Sequence, residues 1–122
     1  MKPSWQFHKC DKDHPDWGWD LLRADEFVDI LTKQLCHFET MTWDEILKAS
    51  GGRNQGNNHH NIEIDKCCKD AQNRLMQLKL DDIDQLFSLR LTGKFRLWGI
   101  KEGQVLRFIW IDKEHTVYPT TR

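Results

Sequence analysis

The sequence predicts an α+β fold: three helices packed on one face of a small C-terminal antiparallel β-meander, in a chain of 122 residues. Two observations predict it. In the helical segments between about residues 20 and 80, apolar residues recur every three or four positions, the period of a helix with one buried face. From about residue 86 they alternate every second position, and two short Gly-containing turns interrupt them, the pattern of consecutive hairpins. The length is common for one domain, so 1–122 is expected to be a single unit. It divides into an aromatic arm at 1–19, a helical part at 20–80 and the meander at 86–118.

The arm carries Trp5, Phe7, Trp17 and Trp19 among prolines and aspartates. That many rings are costly to leave in water, so the arm should dock on the body. The spacing of Ala24, Phe27, Leu31, Leu35 and Phe38 predicts a first helix from about Asp20, its cap, to Phe38. Thr42-Trp43-Asp44-Glu45 reads as a capping box, with Met41 and Ile46 as the accompanying hydrophobic staple. This second helix stops at Ser50-Gly51-Gly52, and 51–60 reads as a polar loop. Asn61–Ile64 is a candidate short extended piece. Asp65 should cap a third helix with the stripe Cys68, Ala71, Leu75 and Leu78, ending near Leu80.

In the meander, alternation predicts one apolar face of Phe87, Leu89, Leu91, Phe95, Leu97, Leu106, Phe108 and Trp110. The other face would hold Arg90, Lys94, Arg96, Trp98 and Arg107. Net charge is only −1, but its distribution is uneven. Residues 1–50 hold six Lys/Arg and ten Asp/Glu (6 − 10 = −4), and residues 86–111 hold five Lys/Arg and one Glu (5 − 1 = +4). Cations with an indole among them suit single-stranded nucleic acid, which offers phosphates to neutralise and bases to stack. A solvated outer face that resists edge pairing explains the same residues. His115 and Tyr118 follow the last strand. An imidazole titrates near neutrality and can transfer protons, and Arg96 and Arg107 can stabilise a phosphorane. The alternative is that His115 and Tyr118 simply pack the chain end onto the sheet.

No metal or cofactor is expected. His8, Cys10 and His14 offer three possible ligands in seven residues, and Cys36-His37, His59-His60 and Cys67-Cys68 add pairs, but none has the C-x-x-C spacing of a zinc site. No Walker, dinucleotide or nucleophile-elbow motif occurs. No apolar run approaches the ~20 residues of a membrane span, no leader-like apolar stretch opens the sequence, and adjacent cysteines read as reduced thiols. A cytoplasmic protein is expected.

Leu91-Thr-Gly93-Lys-Phe-Arg96, followed by Gly103-Gln-Val-Leu-Arg107-Phe-Ile-Trp110, resembles the sheet of the RelE/ParE-type toxin superfamily over about residues 86–118. The resemblance implies helices against a small antiparallel sheet and phosphate contact by Arg96 and Arg107, with His115 or Tyr118 near the chemistry. Members cut messenger RNA on the ribosome or poison gyrase, and a small antitoxin protein accompanies them. The ending Trp110-Ile-Asp112-Lys-Glu-His115-Thr-Val-Tyr-Pro119 is also similar to small uncharacterised bacterial proteins of mobile elements. Two function classes stay open: an RNA-directed toxin of the messenger-RNA endoribonuclease type, and a non-enzymatic interaction module such as an immunity, inhibitor or phage-related adaptor protein.

Overall fold

A computed structural model describes residues 1–49 and 58–119; the Gly51-Gly52 stop and most of the polar loop lie outside them. Three strands form the expected meander: β3 (Gln85–Thr92), β4 (Phe95–Glu102) and β5 (Val105–Asp112). The turns at Gly93 and Gly103 have φ of +46° and +59°, the region where glycine lacks the Cβ penalty.

The sheet is larger than the meander and mixed, with the order β1-β5-β4-β3-β2. On one side β2 (His60–Glu63) pairs antiparallel with β3, in agreement with the extended piece expected near Asn61–Ile64. On the other, β1 (Ser4–Gln6) pairs parallel with β5, Trp5 opposite Leu106. The aromatic arm is therefore itself part of the sheet. Trp5 stacks on Phe108 at 5.4 Å, and Phe7 and Trp19 lie against the same ring.

The first helix spans 24–39 as α1 (Ala24–Asp29), a π-helical stretch (Ile30–Leu35) and α2 (Cys36–Glu39). It starts later than expected. Asp20 lies in a short 3₁₀ turn (Trp19–Leu21), and Glu26 accepts from the Arg23 backbone N–H at the true start. The π turn widens the helix, with Cys36 N–H donating to Leu31 O, and this rotates the buried face. Ile30, Leu35 and Phe38 enter the core, and Phe27 stays 37 % exposed. In α3 (Trp43–Lys48) the capping box forms as expected: Thr42 Oγ1 accepts from Glu45 N–H at 3.2 Å, and Glu45 Oε1 accepts from Thr42 N–H at 2.9 Å. The third helix, α4 (Lys69–Gln77), begins after Cys68 rather than Asp65, which lies in a 3₁₀ turn (Ile64–Lys66).

The helices do not share one face. Those of 24–48 cover one side, where Ile30, Leu35, Phe38, Trp43 and Ile46 pack on Phe87, Leu89, Leu97, Leu106 and Phe108. α4 and Trp17 cover the other, in a second core of Ala71, Leu75, Leu86, Trp98, Ile109 and Trp110. This corrects the expectation of a single covered face, since α4 covers the side to which Leu86 and Trp98 point. A bulge in β5 adds to that second core. Trp110 pairs with Trp98 and Phe108 with the next residue, Gly99, so Ile109 is extra and Trp110 turns onto the second side.

Gly99 permits that approach. A Cβ there would meet the Arg107 carbonyl oxygen at 2.2 Å, a backbone atom that cannot swing aside. Gly99→Ala should therefore destabilise the fold by about 1–3 kcal/mol, measured by urea unfolding. An unchanged midpoint would show that β5 can yield at the bulge.

Candidate cationic site at the sheet end

At the end of the sheet nearest the β3–β4 turn, Arg90 and Arg96 stand directly opposite each other. They share the face of Ser88 and Trp98, one row beyond α4's core. The turn brings Gly93 between them, and both guanidinium groups donate to its carbonyl, Arg90 Nε at 3.2 Å and Arg96 Nη1 at 2.6 Å. Arg90 also donates to Asn58 Oδ1 at 2.9 Å, and Arg96 to the Phe95 carbonyl at 3.4 Å. Every acceptor is neutral. Among the described residues neither guanidinium is in an ion pair, and 50–57 and 120–122 contain no acidic side chain. Burial and the Arg90 charge pull Arg96 below its ordinary pKa, with Asp112 opposing. Two like charges held together, with one nearby carboxylate and no direct ion pair among the described residues, make a site that favours an anion.

Asp112 lies opposite Arg96 on β5, but its carboxylate is committed elsewhere. It accepts from the Trp98 indole at 3.0 Å and from the backbone N–H groups of Thr116 and Val117, each at 2.9 Å. These bonds fix the loop that carries His115, a half-buried residue at φ +60°, a conformation uncommon outside glycine. Burial and Arg96 hold the His115 imidazole below its ordinary pKa, Asp112 opposes, and His60 and Arg90 add to the depression.

Three imidazoles surround the arginines, and their environments differ. His59 is buried, accepts from the Arg90 backbone N–H at 3.0 Å and meets Phe38 edge-on at 5.2 Å. Burial, then Arg96, His60 and Arg90, pull it down to about 4, so it is a neutral structural acceptor. His60 points to the opposite face, because neighbouring side chains alternate on a strand. It sits across from Ser88 on the exposed edge strand β2.

The structure thus brings Arg90, Arg96 and His115 together, with exposed Lys94 in the adjoining turn. It separates the other candidates. Arg107 shares the face but pairs with Ile100, four residues along β4 from Arg96 and so about 13 Å away. There it is held by Glu102 and Gln6 Oε1. Trp98 is fully buried beneath the second core, which corrects its assignment as a stacking platform. Tyr118 is half-buried against that same core. His60 and Asp112 are the residues that sequence reading missed. The signal for His60 was present, since an extended 61–64 puts an imidazole at its mouth.

Of the metal candidates, His59 and His60 fall at this site, whereas Cys10 and His14 belong to the arm. His14 Nδ1 accepts from the backbone N–H groups of Asp16 and Trp17, and burial pushes the Cys10 thiol up to about 12. Among the described residues no three His, Cys, Asp or Glu side chains gather where a metal ion could sit, and no helix is long and apolar enough to cross a membrane.

No family model, curated protein or solved structure matches the chain.

Proposed function

We propose that this is an RNA-directed protein of the bacterial toxin type that binds single-stranded RNA at the sheet end and cuts it there. The observation that carries the reading is the Arg90–Arg96 pair, gathered on one carbonyl oxygen with neither guanidinium in an ion pair among the described residues. A phosphodiester supplies the missing negative charge, and the arginine fork grips its oxygens in pairs. Lys94 adds a third cation at the rim. His115, beside Arg96, is the proton-transfer group. Messenger RNA, free or on the ribosome, is the proposed substrate, and a small antitoxin protein is the proposed partner.

Binding of a mixed-sequence single-stranded RNA across a salt series tests this. A single strand loses about 0.7 in the log–log salt slope per phosphate contact removed, so Arg90→Ala with Arg96→Ala, which together hold one phosphate, should flatten the slope by about 0.7. Arg107→Ala should leave it nearly unchanged. No binding by the parent, or an equal slope in the double variant, overturns the reading. Expression without a partner should also arrest growth.

A second reading, a non-enzymatic interaction module, is favoured by one feature. Phe7, Trp19, Leu22 and Phe27 line an open cavity of about 480 Å³. A stable complex formed through this groove without RNA cleavage would favour the module.

A further inference from the structure

We infer that His60 and His115 act as an acid–base pair on opposite flanks of the Arg90–Arg96 pair, and that the cleavage product ends in a 2′,3′-cyclic phosphate. The inference rests on the RNA-cleaving reading above and assigns its chemistry.

Strand register provides the placement. β3 and β4 carry the two arginines in the middle of the sheet end. On the β2 flank, His60 sits opposite Ser88 and so projects on the face of Arg90, one row away. On the β5 flank, Asp112 stands opposite Arg96, and its carboxylate anchors the loop bearing His115. A phosphate seated on the arginines would have one imidazole to each side. The His60 side chain is exposed, with no partner among the described residues, unlike its neighbour His59.

In-line transesterification requires this division. A base must stand beside the 2′-hydroxyl and an acid beside the departing 5′-oxygen, with phosphorus between them. His115, whose imidazole burial and Arg96 hold below its ordinary pKa, takes the 2′-hydroxyl proton as the 2′-oxygen bonds to phosphorus. The phosphorus–5′-oxygen bond breaks, and His60 donates a proton to the leaving oxygen. The products are a 2′,3′-cyclic phosphate and a 5′-hydroxyl, and no co-reactant is consumed. Arg90 and Arg96 stabilise the charge that builds on the non-bridging oxygens.

The experiment uses a single-stranded RNA, presented free and as ribosome-bound message, with the parent, His60→Ala and His115→Ala. Each variant should cut roughly 10²–10⁴-fold more slowly and still bind RNA within a few-fold of the parent. A substrate whose 5′-oxygen is replaced by sulfur gives the sharper readout, because a thiolate departs without an acid. That substrate should restore cleavage by His60→Ala and not by His115→Ala, a difference that a merely structural role for His60 would not produce. Full-speed cleavage by His60→Ala, or no rescue by sulfur, overturns the pair and leaves the RNA-cleaving reading standing. Binding without cleavage by the parent overturns both.

Discussion

Asp112→Ala should cost about 3 kcal/mol of stability and release the loop that carries His115. Among the described residues the carboxylate is the acceptor for the fully buried Trp98 indole, for the backbone N–H of buried Val117 and for that of exposed Thr116. Alanine orphans the two buried donors, at about 1–3 kcal/mol each. Urea unfolding gives the energy, and hydrogen exchange at Thr116 and Val117 gives the local effect. Asp112→Asn keeps one acceptor oxygen and should recover part of both. Equal exchange at those amides in parent and alanine variant would show that the loop is held by other contacts.

Asp11→Ala should be of similar size, about 3 kcal/mol, near the lower end expected when one partner of a buried ion pair is removed. Asp11 lies in the arm and is almost fully buried. It receives two bonds from Arg74 of α4, at 2.8 and 2.7 Å, and one from the Trp110 indole at 2.8 Å. Without it, the arm, α4 and β5 lose their shared anchor. The same contact predicts the pH dependence. Burial alone would raise the Asp11 pKa, but the bonds from Arg74 and Trp110 outweigh it and hold the carboxyl below its ordinary 3.8. A carboxyl depressed in the folded state stabilises above its unfolded pKa and loses that stabilisation as pH falls through the folded one. Stability of the parent should thus decline more steeply than that of Asp11→Ala below about pH 4. Parallel curves would mean that the ion pair contributes nothing net.

The strands were legible because alternation is a strong signal when eight residues repeat it, as in Gln85–Thr92, Phe95–Glu102 and Val105–Asp112. The capping box at Thr42 was equally plain, since it is a local motif. What was illegible was long-range. Ser4–Gln6 is too short to show a period, and nothing local announces that it will pair with a strand 101 residues on (105 − 4). The bulge beside Gly99 was hidden in an unbroken apolar run, and with it the turning of Trp110. The site followed the same divide. Parity put Arg96 and Arg107 on one face, but parity does not say at which end of a strand a residue stands. Register separates them, and the same register joins Arg96 to His115.

The parallel pairing of β1 with β5 also bears on how the chain matures during synthesis. Trp5 leaves the ribosome about a hundred residues ahead of Leu106, its partner in register. At roughly 5–20 residues per second, the arm waits for some 5–20 seconds with its rings unburied. The helices of 24–48 face a similar delay, because the strands they cover are made after them. Assembly in this chain therefore cannot proceed vectorially, and a nascent-chain binding factor that shields aromatic segments would act chiefly on the first forty-odd residues described here.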